Sequence, residues 1–191
     1  WLNSDSPTTR PMADSFYQLP NGVTHALIKH SFITGSVLVP FDPLSILSDQ
    51  LRRHNFNVVE NKDETNLMDP VWWVGQKEKK FDWVIAATTG LGDYTEYILE
   101  YGIQIATQGI AVLDRLSFIE PVAKRKSFLL ANKISNMIVL NPRPKFRAIG
   151  STRDSVTSCW FVFQRPEQWH DGTQITFGLD WDRVDPLPSL T

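Results

Sequence analysis

Residues 81–94, Phe-Asp-Trp-Val-Ile-Ala-Ala-Thr-Thr-Gly-Leu-Gly-Asp-Tyr, sit where an α/β enzyme would place its chemistry. An acid and an aromatic lead into a short apolar run. The run closes on Ala87-Thr88-Thr89-Gly90, where a strand should hand over to a helix. In open parallel sheets, ligands bind outside the carboxyl ends of the strands. This loop offers two hydroxyls there, and no carboxylate, imidazole or amide side chain.

The other reactive residue types do not assemble into a site. His25, His30, His54 and His170 are scattered, and no pair has the His-x-x-x-His spacing of a metal helix. Surface or helix-face positions account for them, and no metal is expected. The single cysteine, Cys159, lies in an apolar run beside Trp160, with no basic neighbour to lower its pKa. It reads as a small core residue. Ser45, Ser117 and Ser155 lie in no G-x-S-x-G elbow. Two basic clusters remain, residues 123–127 and 143–153. In the second, Arg143, Lys145, Arg147 and Arg153, with Phe146 between them, have the composition for phosphate or base contact, against the plain reading of a solvated loop.

The chain has 191 residues, 42% hydrophobic, which supports one sizeable core. Its formal net charge of -2 gives no global sign of a nucleic-acid-coating protein. One cysteine excludes an internal disulfide and fits a reducing, intracellular compartment. No apolar run approaches the ~20 residues of a membrane span. The chain opens on Trp1 rather than Met, as a piece of a longer protein would.

The polar residues 1–15 predict an extended or disordered arm, residues 16–181 one domain, and 182–191 a tail. Helix spacing is predicted over 21–32, with Phe32 on the apolar face. A strand over 35–41 leads to a helix beginning at Asp42-Pro43, with Asp42 as cap and Pro43 in the first turn. Strands follow at 56–60, 83–87, 109–116 and 135–141. Helices are predicted over 93–108, with Asp93 and Glu96 in capping-box spacing, and over 121–132, started by Pro121. Residues 61–80 read as irregular around the pair Trp72–Trp73, which suits either a core plug or a partner patch. Strands at 155–165 and 173–181 close the chain. Alternating strands and helices imply a three-layer α/β fold, its sheet mostly parallel with an antiparallel C-terminal edge.

Five segments give this order a likeness. They are FYQLPNGVTHALIKHS, SVLVPFDPLSILSDQLRRHNFNVVENK, FDWVIAATTG, GIAVLDRLSFIEPVAKRKSFL and SCWFVFQR. Together, over roughly residues 16–180, they resemble DNA adenine-N6 methyltransferases of phage and bacterial type, with the class I S-adenosylmethionine-dependent, Rossmann-like fold. The resemblance implies a glycine-rich cofactor turn after the first strand. Here that turn reads Val39-Pro40-Phe41-Asp42-Pro43-Leu44-Ser45, with Pro43 and Ser45 at the glycine positions. It implies an acid after the second strand to grip the cofactor ribose. Lys62 aligns best, with the acids Glu60 and Asp63 a register shift away. It implies Asp/Asn-Pro-Pro-aromatic to hold a flipped adenine, where this chain has Ala87-Thr88-Thr89-Gly90.

Read through that resemblance, Pro40, Phe41, Asp42, Pro43, Ser45 and Glu60 form a degenerate former cofactor pocket. No catalytic residue is expected at 87–90, and no cofactor is expected to bind. The frame around both motifs is kept: Asp82 to Ile85, Gly109 to Leu113, and Arg115 to Ile119. The expected function is that of a catalytically inactive methyltransferase-like domain acting as a structural or interaction subunit, bound to a protein partner in a larger assembly, with nucleic acid a further candidate partner and no membrane. The alternative is an active S-adenosylmethionine-dependent DNA adenine-N6 methyltransferase with atypical motifs, in which Asp42, Asp93, Thr88 and Thr89 stand in for the missing groups.

Overall fold

The computed structural model describes residues 19–89, 91–120, 122–146, 156–165, 172–179 and 181–183. Seven strands form one sheet in the order β2-β1-β3-β4-β6-β5-β7. They are β1 (Ser36–Val39), β2 (Asn57–Glu60), β3 (Trp83–Ala87), β4 (Gly109–Arg115), β5 (Asn136–Asn141), β6 (Ser158–Gln164) and β7 (Gln174–Leu179). All ladders are parallel except those of β6, which runs antiparallel to both β4 and β5. The antiparallel element is therefore one strand set inside the C-terminal half of the sheet. β7 forms the outer edge, parallel to β5, and does not pair with β6.

Side-chain alternation along the strands divides the core in two. Trp83, Ile85, Ala111, Leu113, Trp160 and Val162 face one side. Val84, Ala86, Ile110, Val112, Phe161 and Phe163 face the other. Helices α1 (Asn21–His30) and α2 (Ile46–Arg53) cover the first face. Helices α3 (Pro70–Lys77), α4 (Tyr94–Ile105) and α5 (Ala123–Ala131) lie over the second. Burial on both faces is why β3, β4 and β6 read as nearly unbroken apolar runs.

Several local expectations change. α1 stops at His30, so Phe32 lies beyond it and is 89% exposed. Residues 61–80 are ordered: a 3-10 helix, Glu64–Met68, precedes α3, whose first turn is capped by the Asp69 side chain at Val71 N–H. Asp69-Pro70 is the N-cap and N1 signal that the charged composition of the stretch obscured. Trp73 is a core plug, its indole N–H donating to the Leu67 carbonyl at 2.9 Å. Asp93 makes no side-chain cap bond to α4, and Glu96 pairs with Arg125 on α5 at 3.1 Å instead of closing a capping box. Pro121 lies outside the described residues.

Two side chains tie the layers together. The buried Trp160 indole on β6 donates to the Val23 carbonyl of α1 at 2.8 Å. At the opposite edge of the sheet, Asp82 accepts from the Ser36 backbone N–H at 2.8 Å, the Ser36 hydroxyl at 3.0 Å and the Thr107 hydroxyl at 3.1 Å. A Cβ on Gly35, whose φ is +88°, would lie 2.1 Å from the Asp82 carboxylate, so the approach requires glycine. The Ser36 N–H holds the Asp82 carboxyl below its ordinary value. Asp82→Ala should lower stability by about 1–3 kcal/mol, from loss of hydrogen bonds to a charged group. Its contribution is complete above the ordinary carboxylate range and disappears as pH falls through the depressed folded value. Urea denaturation of both proteins should therefore show a gap near neutrality that closes in acid.

Candidate functional site

Parallel β1, β2 and β3 bring their carboxyl ends, and the three loops singled out above, to one edge of the sheet. The turn after β1 is built around Asp42. Its carboxylate accepts from the backbone N–H of Ile46 at 3.0 Å, the backbone N–H of Ser48 at 2.7 Å and the Ser48 hydroxyl at 2.8 Å. α2 thus begins at Ile46, later than expected, and Pro43 lies in the turn before it. Asp42 does cap the helix, reaching forward from outside its first turn. Burial pushes the Asp42 carboxyl up, and the Ser48 and Ile46 donors pull it back.

Ser45, at one of the lost glycine positions, has φ +58°. The left-handed backbone that favours glycine therefore persists without it, at a strain of order 1 kcal/mol. In that conformation the Ser45 hydroxyl donates to Glu60 at 3.1 Å.

Glu60 settles the register of the second loop. It is the last residue of β2 and pairs with Val39, the last residue of β1. The strand-end acid is therefore Glu60, with Lys62 beyond it. Its carboxylate lies 3.6 Å from both the Arg52 guanidinium and the Lys62 ammonium. Burial pushes the Glu60 carboxyl up, but the Ser48 and Ser45 hydroxyls and these two cations outweigh it and hold it below its ordinary value. Asp63 instead caps the 3-10 helix, accepting from the Thr65 N–H at 2.9 Å.

The loop after β3 is tied down just as closely. Thr88 is 1% exposed. Its backbone N–H donates to the Leu113 carbonyl of β4 at 2.9 Å, and its hydroxyl lies 2.8 Å from the Asp114 carboxylate. Thr89 also reaches the Leu113 carbonyl, through its N–H and its hydroxyl, both at 3.2 Å. Ala87 ends β3 and carries no acceptor. Gly90 lies outside the described residues.

Asp114 is the residue that sequence reasoning missed. Its only signal was an acid at the end of an apolar strand. Burial pushes its carboxyl up, while the Arg115 N–H, the Thr88 hydroxyl and the nearby Arg125 and Arg115 charges pull it down.

The proposed nucleic-acid set divides. Phe146 is 2% exposed and belongs to the core beneath α1, so it presents no face to a base. Arg143 and Lys145 are exposed. Arg147 and Arg153 lie outside the described residues. His25 and His54 meet between α1 and α2 with ring centroids 5.6 Å apart. Among the described residues, no three metal-ligating side chains gather. Cys159 is buried and free, and burial pushes its thiol up to about 11. Among the described residues no helix is long and apolar enough to cross a membrane.

No protein-family model matches the chain, and no curated protein matches it. Solved structures do. A chain from the type I restriction-modification system, in work on its assembly and conformational transition, superposes with a TM-score of 0.52 at 14% identity, over 88% of this chain and 45% of that one. A protein described as a modification subunit of a type I restriction enzyme, from Vibrio vulnificus, superposes with a TM-score of 0.50 at 12% identity, over 80% and 45%. A protein described as an O-methyltransferase, from Agrobacterium tumefaciens, gives 0.47 at 12% identity, over 83% and 85%. This chain thus spans under half the length of the two restriction-modification chains. The chain therefore has a Rossmann-like α/β fold of the kind found in the modification subunit of a type I restriction enzyme.

The Thr88–Asp114 contact makes a measurable claim. Thr88→Val keeps the shape and removes the donor to a half-buried carboxylate, which should cost about 1 kcal/mol or more. Asp114 has a raised folded pKa, so it is the ionised form that needs the hydroxyl. The loss should be largest at about pH 7 and shrink at about pH 4, where the carboxyl gains its proton, as read by chemical denaturation at both values.

Proposed function

We infer that this chain is a catalytically inactive methyltransferase-fold domain that serves as a structural or interaction subunit of a larger assembly. The observation that carries the reading is Asp42. Its carboxylate takes the N–H groups of Ile46 and Ser48, so the start of α2 beside the turn after β1 is filled by the chain itself. Two further features support it. Ala87 carries no polar side chain, and the Thr88 and Thr89 hydroxyls are already spent on β4, where the resemblance implies an amide acceptor and a stacking ring. Pro43 removes a backbone donor from the same turn. The assembly part of the reading draws on fold likeness to a chain of the type I restriction-modification system.

One observation favours the alternative of an active S-adenosylmethionine-dependent DNA adenine-N6 methyltransferase. Glu60 stands at the end of β2, where an acid would grip the ribose hydroxyls. Its Oε1 accepts from the Ser45 hydroxyl and both cations lie 3.6 Å away, while its Oε2 has no hydrogen-bond partner.

Titration calorimetry with S-adenosylmethionine tests the choice. The inactive reading predicts no saturable heat up to millimolar cofactor, and no labelled methyl on DNA, RNA or protein. Micromolar binding would overturn the reading of a filled cofactor site, and methyl incorporation that Glu60→Ala abolishes would establish the active alternative.

A further inference from the structure

Lys145 lines a cleft of about 520 Å³ between the start of α1 and the flank of α2. Arg53, on the last turn of α2, lines the same cleft. Its Nε is buried and has no hydrogen-bond partner. A guanidinium presents its donors as a planar fork that matches phosphate, and an ammonium adds a point charge.

The rest of the cleft has the same bias. α1 enters it at Asn21, with no acid in its first turn and no side-chain cap, so the positive end of its dipole is uncompensated. One acid, Asp49, also lines the cleft, but the Arg52 guanidinium lies 2.9 Å away and offsets its charge. Leu44 and Ile46 provide an apolar wall. The volume falls within the range of small-ligand pockets.

We propose that this cleft binds a phosphate-bearing ligand, held between Arg53 and Lys145 with an apolar moiety against Leu44 and Ile46. That chemistry belongs equally to a free nucleotide and to the backbone of a nucleic acid. The cleft shares Leu44 with the turn after β1, but its two cations lie outside the turn after β1 and the loops after β2 and β3, and failure of binding there would leave the S-adenosylmethionine titration unaffected.

The test titrates the whole chain at low salt with a nucleoside diphosphate, by calorimetry, and with a fluorescent single-stranded DNA of about 20 nucleotides, by anisotropy. Saturable binding of at least one probe is expected. Arg53→Gln and Lys145→Gln should each weaken it about tenfold, and Lys77→Gln on the opposite face should leave it unchanged. Binding of the nucleoside diphosphate without DNA identifies a free nucleotide. Salt-dependent binding of DNA without the nucleoside diphosphate identifies a nucleic-acid backbone. No saturable binding of either probe, or binding that both variants leave within about twofold, overturns the proposal. If Arg53→Gln lowers the melting temperature, the exposed Lys145→Gln decides alone.

Discussion

The carboxylate of Asp42 is the constraint on which this sheet edge depends. It takes two backbone N–H groups and one hydroxyl from the start of α2. Its own N–H donates to the Asn61 carbonyl beyond β2 at 2.8 Å, while Asn61 N–H returns to the Val39 carbonyl at 3.0 Å. One residue therefore joins the end of β1, the end of β2 and the start of α2. With that junction fixed, Ser45 is held in its left-handed conformation and its hydroxyl falls on Glu60. A ligand entering the turn would compete with a buried internal carboxylate for donors that are already well aligned.

The same logic runs along the edge to the loop after β3. Where the family resemblance implies groups that face a substrate, Thr88 and Thr89 bond to the Leu113 carbonyl, and Thr88 also reaches Asp114. Ser45, Thr88 and Thr89, which depart from the implied motifs, each bond to a neighbouring strand. The core gives no resistance to such changes. Its apolar contacts lie within the two layers along β1, β3, β4 and β6, below the loops. Burial energy scales with apolar area removed from water, and these loops contribute little of it. The two apolar layers and the strand-end chemistry are thus separable here, and a sequence can change the loop groups while keeping the layers, provided the new groups bond as well as the old.

This separation also explains what the sequence made legible. Apolar strands buried on both faces announce themselves, and β3 was read to the residue while β4 and β5 differ by a single terminal position. The five strands β1 to β5 followed from alternation with helices as parallel, but the parallel run of β7 and the place of β6 did not. Neither composition nor period reveals that β6 enters between β4 and β5 and so leaves β7 at the edge. α3 was missed because Lys77, Glu78, Lys79 and Lys80 mask a short helix whose only strong signals are Asp69 and Pro70. Phe146 looked like a stacking ring because basic residues flank it in sequence, whereas the fold turns it under α1. Single-residue register mattered most at Glu60, where a shift of two positions decides whether the strand ends on an acid or on Lys62.

The two helices on the first face end this edge of the sheet in opposite ways. α2 starts against Asp42, so the positive end of its dipole meets an internal anion. α1 starts at Pro20-Asn21 with neither a side-chain cap nor an acid in its first turn. Its neighbours across the cleft include Arg53 and Lys145, which add positive charge beside the uncompensated positive end of α1, and Asp49, which is paired with Arg52. Repulsion of this kind is tolerated at little cost only where solvent or a counter-ion screens it. The cleft is therefore the place on this edge where an anion would gain most, because the turn after β1 already contains its own.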